Sequence, residues 1–357
     1  MRVFRRQPAV DEYYSTTAPA PTWAPPAARV RRQRGPWLHV ILFAATFVTT
    51  SMAGAREAGV DPFAAVGNLR AGFPFSITLM SILLFHEMGH YMLSRAHGVR
   101  ASLPYFIPAP PIFIAGTFGA FIRMESAPRS RRALFDVGAA GPWAGFMVAV
   151  PAIVVGLRMS QIVPLGANAG GDMLGESVIF SLLSRLTLGV LPDDVMIQLH
   201  PIAMAGWFGL FVTSLNLLPV GQLDGGHVTY AMFGPRHRWV ARAFLAVILF
   251  LSTQGWPGWL FWAVLVTFLG LDHPPTMDWW TPLDGRRRLA AWLTVALFVL
   301  TFMPAPFWFS AAKSQFEGEK TPVAFNLRTP RRHGPRYVFG GHPIVPLQPT
   351  VAKGIRL

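Results

Sequence analysis

Five consecutive residues carry a chemical signature: His86-Glu87-Met88-Gly89-His90. On a helix, positions four apart share a face, so both imidazoles can reach one ion. The carboxylate beside the first histidine then lies next to a metal-activated water and can take its proton. Two interfacial histidines with a capping glutamate would be the bland alternative. It fits poorly with the apolar run Ile82-Leu83-Leu84-Phe85 just before, because ionisable groups inside an apolar helix are costly and usually functional. The chain has no cysteine, which excludes thiolate zinc sites, iron–sulfur clusters, disulfides and cysteine nucleophiles. Any metal must be held by His, Asp or Glu.

A catalytic zinc takes three protein ligands and keeps a fourth position open. His97 is two turns beyond His90, about 10 Å along the helix axis, too remote to join the same ion, and is read as interfacial. Asp224 is the better third ligand. It lies in Asn216-Leu217-Leu218-Pro219-Val220-Gly221-Gln222-Leu223-Asp224-Gly225-Gly226-His227, where proline and glycines interrupt an apolar segment. Non-helical backbone at membrane depth is tolerated only inside protein or around a wet cavity. His227 competes, as a ligand, as a partner that supports a ligand, or as a polar helix residue.

These residues need a scaffold, and the composition says which kind. Of 357 residues, 52% are hydrophobic and 13% charged, about half the charge of an ordinary soluble domain. With a mean hydropathy of +0.39, the partner is the lipid bilayer. The net charge of +14 is assigned to loops that face anionic lipid rather than to nucleic acid. Apolar stretches fall near 37–55, 73–95, 134–157, 200–219, 239–253, 258–271 and 289–309. The fold class expected is an all-α polytopic membrane protein with six to seven transmembrane helices and a short re-entrant β-hairpin. The hairpin is placed in Pro111–Arg123, β-branched and aromatic with central glycines; a helix linker in the interface is its alternative.

Residues 1–36 read as a disordered basic cytoplasmic tail, 37–310 as the transmembrane catalytic domain, and 311–357 as a basic, Pro/Gly-containing C-terminal tail. Arg95, Arg100, Arg123, Arg129, Arg131 and Arg132 put 94–132 on the cytoplasmic side, and the acid-rich stretch 159–199 faces outward. The same alternation places the basic tail outside, against the rule, unless 289–309 fails to cross. An Ala/Arg/Gly/Pro bias without cysteine suits the inner membrane of a bacterium.

His86-Glu87-x-x-His90 in a membrane helix, with Asn216-x-x-Pro219-x-x-x-Leu223-Asp224-Gly225-Gly226 far downstream, resembles the site-2 protease family of intramembrane zinc metallopeptidases. Gly116-Thr117-Phe118-Gly119-Ala120-Phe121 and Ala140-Gly141-Pro142-Trp143-Ala144-Gly145 are similar to segments of its plastid and cyanobacterial branch. The resemblance spans roughly 73–235. It implies His86, His90 and Asp224 as ligands of one Zn2+ per chain, Glu87 as general base, and a substrate-binding or transition-state role for Asn216. For Asn216 the residues themselves suggest only a cap on a broken helix.

Gly116, Phe118 and Gly119 are assigned to substrate binding, on a strand edge that could pair with a peptide. The substrates implied are transmembrane proteins, and the family's PDZ domain is not expected, since stretches of roughly 40 residues are too short for one. Two rival classes stand beside the protease: a di-iron oxidase or desaturase, which needs more clustered His and carboxylates, and a non-proteolytic scaffold or transporter that retains the metal site.

Overall fold

The computed structural model describes residues 35–110, 113–164, 173–192, 194–254, 256–308 and 336–338. Residues 1–34 and most of the expected C-terminal tail lie outside the described residues. All seven apolar stretches form helices. They are α1 (Trp37–Glu57), α2 (Phe73–Ala96) and α3 (Arg131–Arg158), then, past a short helix α4 (Val178–Leu188), α5 (Pro201–Asn216), and, past α6 (Asp224–Phe233), α7 (His237–Gln254), α8 (Gly258–Leu269) and α9 (Gly285–Thr301). Three helical stretches are long and apolar enough to cross a bilayer: α1, Val66–Ala96 (a 3-10 turn running into α2) and α3.

Local chemistry sets the boundaries that matter for the site. The Ser130 hydroxyl accepts from the Ala133 amide and starts α3, and the Asp284 carboxylate accepts from the Arg287 amide and starts α9. Helix α5 stops at Asn216 because Pro219 lacks an amide hydrogen and Gly221 takes φ 54°, a left-handed conformation that favours glycine. A new helix, α6, begins at Asp224. The core is built on α2, α3 and α5, around the fully buried Phe75, Leu79, Ile153, Trp207 and Leu210. Gly156 of α3 lies so close to Ala203 of α5 that a Cβ there would overlap its backbone. Small residues at crossings are how membrane helices approach closely.

The fold is mostly helical, but it is not all-α. The hairpin exists with different bounds: β1 (Tyr105–Pro108) pairs antiparallel with β2 (Thr117–Phe121), matching Tyr105 to Phe121 and Phe106 to Ala120. Its first strand lies before Pro111, outside the stretch 111–123 expected to form it. Gly116, just ahead of β2, has φ 66°, and a Cβ there would overlap the Thr49 carbonyl of α1. The Phe106 ring meets Phe43 of α1 edge-on at 5.1 Å. The hairpin is therefore packed against a helix.

The second departure is larger. The stretch 159–199, expected as an outward loop, contributes β3 (Gln161–Pro164), β4 (Met173–Leu174), α4 and β5 (Val195–Gln198). With β6 (Phe307–Trp308) and β7 (Arg336–Val338) they form one sheet in the order β3-β5-β7-β4-β6. Strands of two to four residues carry no readable alternation, and β7 comes from the tail. Since β7 pairs with both β5 and β4, that part of the tail lies at the same end of the bundle as 159–199. Helix α9 runs from the arginine-bearing end to this sheet.

Candidate metal centre

Three elements meet around the signature residues. His86 and His90 lie one turn apart on α2, both buried, and Asp224 is the first residue of α6. The His86 and His90 Nε2 atoms are 3.1 Å apart, and each is 3.2 Å from Asp224 Oδ2. Among the described residues this is the group able to share one ion. Zinc about 2.0–2.1 Å from three tetrahedral ligands would set them about 3.3 Å apart, so the triangle has the size the ion requires.

Donor chemistry agrees. His90 Nδ1 is 2.8 Å from the Val137 carbonyl, which can only accept, so Nδ1 carries the hydrogen and Nε2 presents its lone pair to the triangle. The ring is fixed before any ion arrives.

Helix α3 makes the space. A Cβ at Gly141 would overlap the His90 ring at Nε2, and one at Gly145 would press on His86 at 3.3 Å. These glycines let two imidazoles lie directly on the α3 backbone. The sequence of Ala140–Gly145 marks a family segment but not this steric role. Glycines four apart on an apolar helix are the signal that could have found it.

Glu87, also buried, lines a cavity of about 220 Å³ together with His86, His90, Asn216 and Asp224. The backbone amide of Ile122, just after β2, interacts with its carboxylate. Asn216 Nδ2 lies 3.2 Å from His86 Nε2, so this residue stands against the ligand cluster. The hairpin enters the cavity through Ala120, Phe121 and Ile122. Gly116 is turned to α1, Phe118 is exposed, and Gly119 has its amide bonded to the Thr117 hydroxyl at 2.9 Å.

His97 caps the end of α2 and pairs with Asp136 at 2.8 Å. Asp136 also accepts from Arg287 Nε, at 2.9 and 3.1 Å to its two oxygens, and from Arg287 Nη2 at 2.7 Å, and Arg287 reaches Asp284 at 2.6 Å. This network ties α2 and α9 to the residue before Val137, whose carbonyl orients His90. His227 stays outside the triangle but lines the cavity, with Nδ1 2.7 Å from His273 Nε2. Burial pushes the His273 imidazole below its ordinary range, and its Nδ1 donates to the Pro274 carbonyl at 2.6 Å. His273 Nε2 must then accept from His227, which leaves the lone pair of His227 on Nε2.

Residues 74–253 match the profile of peptidase family M50. The chain is 33% identical over 240 residues to the probable zinc metalloprotease EGY1, chloroplastic, of Arabidopsis thaliana, covering 66% of this chain and 43% of that protein. It is 32% identical over 242 residues to the rice (Oryza sativa subsp. japonica) EGY1, covering 66% and 41%. To the probable zinc metalloprotease EGY2, chloroplastic, of Arabidopsis thaliana it is 28% identical over 253 residues, covering 70% and 45%. The matched region thus spans less than half the length of these curated relatives.

Proposed function

The chain belongs to peptidase family M50, the site-2 protease family, and on that premise we propose that it is an intramembrane zinc metalloprotease. It hydrolyses peptide bonds within or next to transmembrane segments of membrane proteins. The observation that carries this reading is the buried His86–His90–Asp224 triangle with Glu87 in the same cavity.

His86, His90 and Asp224 would hold one zinc. Bound there, zinc supplies a Lewis acid that acidifies water and polarises a carbonyl. Glu87 is off the ligand face and beside the cavity, so its carboxylate accepts the proton of the attacking water. As the water oxygen bonds to the scissile carbon and the C–N bond breaks, Glu87 returns that proton to the leaving amine. The Asn216 amide lies where it can donate to the substrate. The surrounding helices exclude bulk water, which strengthens each of these interactions.

A helical substrate hides its carbonyls in its own hydrogen bonds, so it must open locally. The outer edge of β2, at the exposed Phe118, would then hold the opened strand by main-chain pairing; Gly116 and Gly119, whose own backbone groups bond within the hairpin, would shape that edge. Helices α1, α2, α3, α5, α7, α8 and α9 make up six to seven spans of the domain 37–310. The arginine-bearing end, with the tail 1–36, faces the cytoplasm, on the support of the charge distribution.

The test is cleavage of a single-span substrate by purified protein, beside Glu87→Gln at equal metal content. Cleavage lost only in the variant is expected. A metal-loaded wild-type protein that cuts no membrane substrate would favour the scaffold reading.

A further inference from the structure

Helix α3 seats a third imidazole beside the two in the metal triangle. Gly138, Gly141 and Gly145 lie three and four residues apart, which puts them on one face of the helix. The last two make room for His90 and His86, and a Cβ at Gly138 would lie 2.7 Å from His227 Cβ. His227 is three residues beyond Asp224 on α6, and so on the same side of that helix as the third ligand. It lines the metal cavity without joining the triangle. A backbone that opens the same space for a histidine outside the ligand set implies a different task for it.

The His227 ring is fixed in the same way as that of His90. His90 Nδ1 donates to the Val137 carbonyl. His227 Nδ1 donates to His273 Nε2 at 2.7 Å, and His273 Nδ1 donates to the Pro274 carbonyl at 2.6 Å. The Tyr230 ring stacks on His273, with centroids 4.5 Å apart and planes 23° from parallel, and holds that imidazole in place. A carbonyl can only accept, so the direction of every hydrogen in this row is set from its outer end. With Nδ1 committed to His273, the nitrogen left to His227 in the metal cavity is Nε2, an acceptor.

A peptide unit presents one acceptor, its carbonyl, and one donor, its N–H. The cluster is flanked to match: the Asn216 amide stands beside His86, and His227 stands one turn along α6 from Asp224. The geometry points to His227 as a catalytic residue whose Nε2 accepts the N–H of the scissile amide, with His273 as the positioning residue that holds its tautomer. This rests on the protease reading above and adds a contact to it. A scissile N–H enclosed in the cavity without a partner would be costly. When the C–N bond breaks, the nitrogen keeps the hydrogen shared with His227 and takes a second from Glu87, so no proton passes to the imidazole. Holding the first hydrogen leaves the nitrogen lone pair free for the proton that Glu87 returns.

The experiment uses the full, metal-loaded chain in liposomes and one single-span substrate whose cut is mapped by mass spectrometry. The substrate is then rebuilt with an ester oxygen in place of the nitrogen at that bond, which removes the N–H and nothing else from the chain's side groups. The readout is the ratio of amide to ester cleavage rates, beside metal content. In His227→Leu the ratio should fall by about thirtyfold with metal retained. His227→Gln, whose side-chain oxygen is an acceptor near the place of Nε2, should recover most of it. His273→Phe keeps a ring against Tyr230 but removes the acceptor for His227 Nδ1, and should lower the ratio by about fivefold without disturbing α6. Equal losses on amide and ester in His227→Leu would overturn the inference and leave the protease reading standing. Loss of metal from His227→Leu would overturn it too, by moving His227 into the ligand set. An unchanged ratio in His273→Phe would overturn the positioning role. Failure of both substrates to show Glu87-dependent cleavage would overturn the protease reading, and this inference with it.

Discussion

The two ends of the molecule are built on opposite principles. At the metal cluster, a few long helices meet, and the space between them is set by single atoms: Gly141 has no side chain because the His90 ring occupies that position. At the far end, five strands of two to four residues from three separate parts of the chain are joined into one sheet. Its most enclosed side chains are Ile197 and Tyr337, 0% and 1% exposed, the tyrosine edge-on to Phe180 at 5.0 Å. The first region is shaped by helix backbones that leave room only for the ligand side chains, and the second is held by strand pairing and by the rings of Tyr337 and Phe307, the latter against Trp207 at 5.3 Å.

That contrast can be broken most severely at the ligands. His86→Ala and Asp224→Ala are expected to lose both metal and turnover, whereas Glu87→Gln should keep its metal and lose turnover by roughly a thousandfold. Metal content by elemental analysis, beside a cleavage assay, separates the two outcomes. Full metal retained by Asp224→Ala would move the third ligand to His227.

A smaller but sharper perturbation is one methyl group. Gly141→Ala should displace the His90 ring and weaken metal binding by roughly a hundredfold, with a far smaller change in thermal unfolding. Competition with a chelator measures the first and a melting curve the second. Equal metal affinity in the variant would show that α3 does not set the cluster's geometry.

On the hairpin, Phe118→Pro removes a backbone donor from an exposed strand position. Cleavage should slow by roughly tenfold while metal content stays constant. Unaltered kinetics in a metal-loaded, folded variant would remove β2 as the pairing edge.

The smallest effect on the centre belongs to the far sheet. Tyr337→Ala should cost about 3 kcal/mol of stability through the cavity it leaves and leave metal affinity within about twofold. If it emptied the metal site, the two ends would be coupled rather than independent.

What could be read from the sequence follows the same division. His86, Glu87, His90 and Asp224 announce themselves because ionisable groups are rare in apolar segments, and the helices because apolar runs mark them, three of these stretches being long enough to cross a bilayer. The break between α5 and α6 was visible in Pro219 and Gly221. The roles of Gly141 and Gly145 were not, since a glycine shows its purpose only when the group filling its space is known. Strand β1 and the far sheet escaped for another reason. Tyr105–Pro108 and Met173–Leu174 are too short for a periodic pattern, and their partners are distant in sequence, so no local window holds the information. The clamp of Asp136 by His97 and Arg287 is likewise a long-range fact written in ordinary surface residue types.

The placement of β7 has a consequence for how the protein is made. The residues that gather around the metal are all synthesised by Asp224, and the helices that enclose them are complete by Thr301. The centre of the far sheet, by contrast, waits for Arg336–Val338, which must thread between β5 and β4 after everything else has been inserted. Pairing across such sequence separation is slow, because loop closure must precede any reward. A nascent chain therefore acquires its metal cluster early and passes through an interval in which β5 and β4 present open edges at the far end of the helix bundle. Biogenesis would be most vulnerable in that interval, to aggregation or to quality-control proteases, and the last strand to arrive acts as the latch that ends it.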